Sequence, residues 1–189
     1  GLKVVLPATP QDVHDLLLAA YLDPNPVVFL EHKLLYKTEG PVELRARAED
    51  TPARIGEAKV LREGRDLTIA AYSIMTVRAL EAAESLAGAG IEAEVIDLRT
   101  VQPLDIDTVR ASVKKTGRLL VTHEAPQPVG VGAEVVAGVC ESDALDYLLA
   151  PVSRVCGQPV PMPYARELER AVIPQVEDVE TAAKELVNA

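Results

Sequence analysis

Three short stretches of the sequence combine residue types that could do chemistry. His123 is followed directly by Glu124, a pair that could exchange protons in a cleft, although no nucleophile or third orienting residue accompanies it. Gly130-Val131-Gly132 lies at the start of a predicted helix, whose first backbone N–H groups can attract an anion. Asp23-Pro24-Asn25-Pro26 offers carboxylate and carbonyl oxygens to a hard cation. Acid–base chemistry, anion binding and cation binding are therefore the three kinds of site to weigh.

A structural role competes with a functional one at each of these places. A histidine at the end of a strand commonly bonds a nearby backbone group, so we expect a packing or interface role for His123. Gly130-Val131-Gly132 lacks the third glycine of a dinucleotide fingerprint, which favours close packing. Residues 23–26, taken without context, favour a plain turn. We expect His14 to be solvated, because it lies on the polar face of its helix. We expect a surface or subunit-contact role for His32, because no nucleophile stands beside it.

The elements that would position these residues alternate between strands and helices. A helical segment capped by Thr9 and opened by Pro10 lies between two β-prone runs, residues 2–6 and 27–30, and together they make one βαβ unit. Further along, apolar runs predict strands and periodic segments predict helices. The strands are expected at 57–62, 67–72, 91–98, 119–122 and 151–155, the helices at 75–86, 105–115, 130–148 and 176–187, and a connecting loop at 99–103.

Strands separated by helices of ten or more residues predict an α/β fold with a doubly wound parallel sheet. We assign this sheet to residues 57–189, the preceding βαβ unit to residues 1–36, and a linker to residues 37–56, where no periodic apolar face can be traced. Ligands of such sheets bind beyond the carboxyl ends of the strands. The strand ends at Tyr72-Ser73, Asp97-Arg99 and His123-Glu124 are therefore where a site is expected first.

The composition argues against several classes of function. A formal net charge of −10 disfavours a nucleic-acid partner and an anionic membrane surface, because both repel an acidic protein. No apolar run reaches the roughly eighteen residues that a membrane span needs. Cys140 and Cys156 lie in apolar runs without a Cys-x-x-Cys spacing, which predicts two buried free thiols instead of a disulfide or a zinc site.

Six segments of the chain, in order and at familiar spacings, resemble the β subunit of the thiamine-diphosphate-dependent decarboxylating component of 2-oxo-acid dehydrogenase complexes, of the pyruvate or branched-chain type. The segments are Gly1 to Leu17, Asp23 to Val27, Phe29 to Tyr36, Glu94 to Pro103, His123 to Pro126 and Val160 to Ala165. The resemblance covers essentially the whole chain. It implies that residues 1–36 belong to the end of a pyrimidine-binding domain and residues 57–189 to a transketolase C-terminal-like domain.

The resemblance also implies partners and cofactors. The family forms a heterotetramer of two α and two β subunits that binds thiamine diphosphate between them, with the diphosphate and its magnesium held by the α subunit. The family's activating glutamate and β-subunit histidine fall outside the matched segments, so we assign no catalytic and no cofactor-binding residue to this chain and expect it to be inactive alone. A dihydrolipoyl acyltransferase is the further partner implied. The implied location is the bacterial cytoplasm, or the mitochondrial matrix in a eukaryote.

One family site falls inside the chain, and one family feature departs from its pattern. Several relatives bind a structural potassium ion through positions that match Ala20, Asp23 and Asn25. The position before Ala150 is often an acidic residue that meets the acyltransferase, but here it is Leu149. Docking is therefore expected to be weaker, or to use the acidic residues Glu141, Asp143 and Asp146.

Two other interpretations remain open at this point. The chain could be a non-catalytic assembly module, or it could be the C-terminal part of a transketolase or of a deoxyxylulose phosphate synthase, whose C-terminal domains are similar. The segment around residues 160–165 fits those two enzymes less well. The sequence does not identify which 2-oxo acid is used.

Overall fold

A computed structural model describes residues 1–189. The strands are β1 (Lys3–Val5), β2 (Val27–Phe29), β3 (Lys59–Arg62), β4 (Leu67–Ala71), β5 (Ala93–Asp97), β6 (Thr100–Gln102), β7 (Leu119–Pro126) and β8 (Ser153–Gly157). The α-helices are α1 (Pro10–Leu22), α2 (Ile74–Gly88), α3 (Ile106–Thr116), α4 (Val131–Cys140), α5 (Arg166–Val172) and α6 (Val176–Asn188). None of these helices is both long and apolar enough to cross a membrane.

The first unit is the predicted βαβ arrangement. Strands β1 and β2 are parallel neighbours, and α1 connects them. The Thr9 hydroxyl accepts a hydrogen bond from the Asp12 N–H at 3.1 Å, and Pro10 occupies the first turn, where its missing N–H costs nothing. The local signals in the sequence are therefore sufficient to set the start of this helix.

A strand from the second unit completes the sheet of the first. Strand β6 pairs antiparallel with β1, which gives a three-stranded sheet in the order β2-β1-β6. The backbone N–H of Leu6 also donates to the Arg99 carbonyl at 2.7 Å. The prediction of a simple connecting loop at 99–103 is therefore wrong, because these residues pair with a strand almost a hundred positions earlier.

The second unit is the predicted doubly wound sheet. Its five strands lie in the order β3-β5-β4-β7-β8 and are parallel, except for the edge strand β3, which runs antiparallel to β5. Helices α2 and α6 bury Leu86, Val179 and Leu186 against one face. Helices α3 and α4 bury Val113 and Val139 against the other. Burial of apolar side chains on both faces explains why the central strands are almost continuously hydrophobic.

Some boundaries differ from the prediction. The helix expected at 130–148 ends at Cys140, because the Ser142 hydroxyl donates to the Val139 carbonyl and accepts from the Ala144 N–H. Ser142 thereby caps a separate 3₁₀ turn, Asp143–Tyr147. Strand β8 begins two residues later than expected, and α5 was not predicted. Cys140 is exposed, not buried, because it follows Val139 on the helix and turns away from the buried stripe.

The segment expected to be a linker contains no strand and no α-helix, but it packs against α1. The Gln11 side chain accepts a hydrogen bond from the Glu43 N–H at 2.6 Å. Arg45 pairs with Asp15 at 3.3 Å, and the Thr51 hydroxyl donates to the Asp15 carbonyl at 2.9 Å. Burial alone would raise the pKa of Asp15, but the hydrogen bonds from Arg45 and its neighbours outweigh it and lower that pKa. Residues 43–51 are thus held on the surface of α1 by this ion pair and these hydrogen bonds.

Candidate functional site

The turn after α1 brings together the three predicted cation ligands. The Ala20 carbonyl accepts the Asp23 N–H at 3.4 Å, and one carboxylate oxygen of Asp23 accepts hydrogen bonds from the Asn25 N–H at 2.9 Å and the Asn25 amide at 3.2 Å. The other carboxylate oxygen is paired with the ammonium group of Lys3. This hydrogen bond with Lys3, assisted by the Asn25 N–H, lowers the pKa of Asp23. The turn can offer oxygen ligands, but Lys3 already neutralises its one carboxylate.

His123 lies in the core, where it cannot meet a substrate. Its Nδ1 is 2.9 Å from the Ala125 carbonyl, and since a carbonyl only accepts, Nδ1 carries the proton. Its Nε2 then faces the Cys156 sulfur at 3.5 Å as an acceptor. The Tyr72 ring stacks on the imidazole at a centroid distance of 6.0 Å. The expected packing role of His123 is therefore supported by every contact of the ring.

Burial keeps this group of side chains neutral. Desolvation lowers the pKa of His123 and raises the pKa of the Cys156 thiol. It also raises the pKa of Tyr72 to about 12. A neutral thiol beside a neutral imidazole is a poor nucleophile, because the thiolate is the reactive form. These contacts hold β4, β7 and β8 together and do not make a reactive dyad.

The two glycines at the start of α4 make room for the His123 ring. A Cβ added to Gly130 would lie 2.6 Å from His123 Cε1, and one added to Gly132 would lie 2.6 Å from His123 Nε2. Contacts this short are excluded, so the ring fits only if both positions, 130 and 132, are glycine. The packing interpretation of Gly130-Val131-Gly132 therefore accounts for the motif.

Glu124 does not act together with His123. Successive side chains of a strand point to opposite faces, so Glu124 turns outward where His123 turns inward. Its carboxylate instead lies 2.9 Å from Nε2 of His32, which follows β2. The His32 Nδ1 accepts the Leu34 N–H at 3.2 Å, so both ring nitrogens are engaged. The pair links the first unit to the second, and the hypothesis of an acid–base pair at His123-Glu124 is wrong.

Ser73, which has a strained backbone conformation, lies beside the pair of His32 and Glu124. Ser73 caps α2 with φ 55° and ψ −140°, a conformation that non-glycine residues rarely adopt, and its side chain makes no capping hydrogen bond. It lines a cleft with His32 and Glu124 at the carboxyl ends of β2, β4 and β7. Since His32 has no free nitrogen to accept a proton, the cleft does not contain an activated serine nucleophile.

The third strand end carries a buried charged cluster. The Arg99 guanidinium donates to the Glu57 carbonyl at 2.7 and 3.0 Å and pairs with Asp12 of α1 at 3.4 Å. One carboxylate oxygen of Asp97 accepts from the Thr76 hydroxyl and the Arg99 N–H, whereas the other is buried without a hydrogen-bond partner. Burial, only partly offset by the Arg99 N–H and reinforced by the charge of Asp12, raises the pKa of Asp97 to about 7.

Leu149 places an apolar side chain at the position where the resemblance implies an acidic residue. The residue is 68% exposed, although part of its side chain covers Gly117, whose left-handed conformation ends α3. Among the nearby acidic residues, Asp143 forms an ion pair with Lys114 at 2.7 Å. Asp146 follows on the same 3₁₀ turn and is exposed. The face therefore combines an exposed leucine with a partly neutralised acidic turn.

Residues 56–179 match the family described as "Transketolase, C-terminal domain". The chain belongs to this family. It is also 49% identical to a mitochondrial pyruvate dehydrogenase E1 component subunit beta-2 of Oryza sativa, an alignment that covers 97% of the chain and 49% of the relative. The bacterial E1 subunit beta of Rhizobium meliloti is 44% identical over 97% of the chain and 39% of its own length.

A solved structure supports the same fold. A split-gene transketolase, described as an inactive β4 tetramer, superposes with a TM-score of 0.77 at 25% sequence identity and covers 99% of the chain and 58% of that protein. The predicted resemblance to 2-oxo-acid dehydrogenase β subunits is confirmed by the pyruvate dehydrogenase relatives. The chain spans about half the length of the first of these curated relatives.

The three strand ends where a site is expected do not form one cluster. Ser73 and Glu124 line one cleft, whereas Asp97 and Arg99 lie in a separate buried cluster. The participation of Asp12 in that cluster was missed, because its partner Arg99 is 87 positions away. No local pattern predicts such a long-range ion pair.

Proposed function

We propose that this chain is part of the β subunit of a thiamine-diphosphate-dependent 2-oxo-acid dehydrogenase and serves it as a subunit interface and docking scaffold. The substrate proposed is pyruvate or a branched-chain 2-oxo acid. The observation that supports this is the alignment of 97–100% of the chain, at 44–50% identity, with pyruvate dehydrogenase E1 β subunits of plants, animals and a bacterium. We propose the bacterial cytoplasm or the mitochondrial matrix as its location.

The role proposed for the chain's own residues is structural. When bound to the intact enzyme, thiamine diphosphate would supply the electron sink that a decarboxylation needs. In this chain His123 is buried, and both nitrogens of His32 are hydrogen-bonded within the chain, so we assign neither residue a role in proton transfer. The proposed magnesium site lies on the α subunit. The division into residues 1–36, 37–56 and 57–189 is proposed with the same assignment.

The enzymatic proposal is tested with the full-length gene product and its α subunit, in the presence of thiamine diphosphate and magnesium. Carbon dioxide release is measured from pyruvate and from branched-chain 2-oxo acids, with acetoin cleavage as the comparison reaction. We expect turnover of a 2-oxo acid by the two subunits together and none by the 189-residue chain alone. An assembled α and β complex that turns over none of these substrates would leave the non-catalytic assembly module as the better account.

The transketolase alternative is less well supported. The split-gene transketolase shares the fold at 25% identity, whereas the pyruvate dehydrogenase relatives share 44–50% over the same residues. Transfer of a two-carbon unit between sugar phosphates by the full-length product would favour the alternative.

We also propose that Ala20, Asp23 and Asn25 contribute oxygen ligands to a potassium site. The Lys3 ammonium group competes with potassium for the Asp23 carboxylate. The Lys3 ammonium is paired with the only carboxylate of the turn, so its removal should leave that carboxylate free for a cation. We expect potassium chloride, compared with choline chloride at equal concentration, to raise the melting temperature of a Lys3→Met variant more than that of the wild type. The double variant with Asp23→Asn should lose this difference. Equal melting temperatures of Lys3→Met in both salts would contradict the site.

We further propose that a dihydrolipoyl acyltransferase docks on the face formed by Glu141, Asp143, Asp146 and Leu149. A carboxylate at position 149 would restore a charge that can pair with a basic partner, and such desolvated pairs often dominate an interface. Leu149→Asp should therefore tighten binding of the acyltransferase's subunit-binding domain by about tenfold, which corresponds to about 1.4 kcal/mol. Leu168→Asp, which also replaces an exposed leucine, is the control. Equal affinities of wild type and Leu149→Asp would exclude this face.

A further inference from the structure

The buried cluster at the carboxyl end of β5 contains more acidic than basic side chains. Asp12, Asp97 and Arg99 are 2%, 0% and 7% exposed, so the cluster carries two carboxyl groups and one guanidinium away from water. An unpaired buried charge costs several kcal/mol, on the order of the whole stability of a small domain. The cluster is therefore balanced only when one of the two carboxyl groups holds a proton.

The hydrogen bonds identify Asp97 as the carboxyl group that lacks compensation. Asp12 accepts from the Thr9 hydroxyl on one oxygen and faces Arg99 with the other. The Arg99 side chain is committed to Asp12 and to the Glu57 carbonyl, and only its backbone N–H reaches Asp97. The second oxygen of Asp97 has no partner at all.

No other cation compensates Asp97. From β3, Lys59 is its partner in the strand register, but Lys59 is exposed. From α2, the only polar partner is the uncharged Thr76. Asp105, before α3, adds a further negative charge near Arg99. The charged groups around Asp97 are thus Asp12, Asp105 and Arg99 at the cluster and Lys59 at the surface.

The cluster lies where the two units of the chain meet. Asp12 belongs to α1 of the first unit, Asp97 ends a strand of the second, and Arg99 connects them. Arg99 has φ 53°, a left-handed conformation that costs a non-glycine residue free energy, and its carbonyl accepts the Leu6 N–H just after β1. The same residue therefore links the two units through its side chain and through its backbone, in a conformation that the surrounding contacts must maintain.

We propose that Asp97, Asp12 and Arg99 form a proton-linked latch between the βαβ unit and the five-stranded sheet, closed while Asp97 holds a proton and loosened when it loses it. Deprotonation adds a second buried negative charge that no cation neutralises. Separation of α1 and β6 from their contacts is the local opening that lets water reach Asp97. The latch is independent of the enzymatic proposal, since it concerns contacts within this chain.

The sign of the pH dependence follows from proton binding. The folded chain retains the Asp97 proton at pH values where the unfolded or opened chain has released it. The opened state is therefore favoured as pH rises from about 4 towards about 7, and the opening constant should grow by up to about tenfold per pH unit in that window. Above about pH 7 the dependence should level off, because both states have then lost the proton.

The test is amide hydrogen exchange of the 189-residue chain, corrected for intrinsic rates, between pH 5 and pH 8. Peptides that cover residues 3–8 and 98–103 should lose protection as pH rises to 7. This dependence should vanish in Asp97→Asn, which keeps the shape of the protonated side chain. It should persist in Asp107→Asn, whose side chain is 86% exposed.

A second variant keeps the test decisive if Asp97→Asn does not give a native circular dichroism spectrum. Thr76→Val removes a hydrogen bond that favours the ionised carboxylate, so the loss of protection should move to higher pH. Three results would each overturn the latch. Protection of residues 3–8 and 98–103 in the wild type could prove independent of pH, or its pH dependence could stay unchanged in a folded Asp97→Asn. The third is a Thr76→Val variant that loses protection at the same pH as the wild type.

Discussion

His123 and Glu124 are adjacent in the sequence, yet the structure gives them unrelated roles. Strand alternation sends His123 into the core, where its ring packs between Tyr72, Cys156 and the glycines of α4, and sends Glu124 to His32 in the other unit. The sequence predicted a packing role for the histidine correctly. It could not show which residues surround the ring, because Tyr72 and Cys156 come from other strands.

The fit between the His123 ring and α4 predicts a large effect for a small substitution. Gly132→Ala would place a methyl group 2.6 Å from His123 Nε2 and 3.2 Å from Val121 Cγ1, both fully buried or nearly so. We expect this variant to lose about 1–3 kcal/mol of unfolding free energy, as overpacked cores do. Chemical denaturation measures the loss.

Gly88→Ala is the matched control for that substitution. A Cβ at Gly88, the last residue of α2, meets no atom within 4 Å, and alanine favours helix more than glycine does. Its stability should be unchanged or higher by up to about 1 kcal/mol. If both variants lost equal stability, the close approach of His123 to α4 would not be the cause.

Local signals in the sequence predict where helices start, but they do not predict which distant strands pair. Thr9 and Asp105 cap α1 and α3 through hydrogen bonds to the backbone N–H group three residues on, so the sequence itself contains the information. Strand β6 has three residues, and its partner β1 lies almost a hundred positions away. Such a strand has no sequence period of its own, which is why its residues resembled a loop.

The cap of α3 also ties the helix to the segment before β3. The Asp105 carboxylate accepts hydrogen bonds from the Thr108 N–H at 3.1 Å and from the Ala58 N–H at 2.9 Å. The Thr108 hydroxyl also donates to this carboxylate, so Asp105→Ala leaves three donors without their acceptor and should cost about 1–2 kcal/mol or more. Thermal unfolding near neutral pH measures this. Asp105→Asn, which keeps an acceptor oxygen, should lose less, and equal losses would contradict the capping role.

The same carboxylate predicts an acid-sensitive contribution. Burial would raise the pKa of Asp105, but the hydrogen bonds from Thr108 and Ala58 prevail and lower it. Its stabilising contribution is thus complete above the ordinary aspartate pKa and is lost as pH falls through the lowered value. The stability difference between wild type and Asp105→Ala should accordingly shrink below about pH 4.

The alternation of strands and helices along the whole chain is enough to predict the doubly wound sheet. The structure confirms it, because α2 and α6 cover one face of the sheet and α3 and α4 cover the other. The way the two units join was not predictable. It depends on β6, on the pair of His32 with Glu124 and on the contact of Asp12 with Arg99, all of which connect distant residues. Such contacts appear only once the chain has folded.

We propose that this chain belongs to a β subunit that functions with an α subunit. This is tested by the native mass of the full-length gene product purified with and without that partner. We expect a heterotetramer of two α and two β subunits that decarboxylates a 2-oxo acid. A product that remains a tetramer of β subunits alone, as described for the split-gene transketolase, and ignores the α subunit would contradict it.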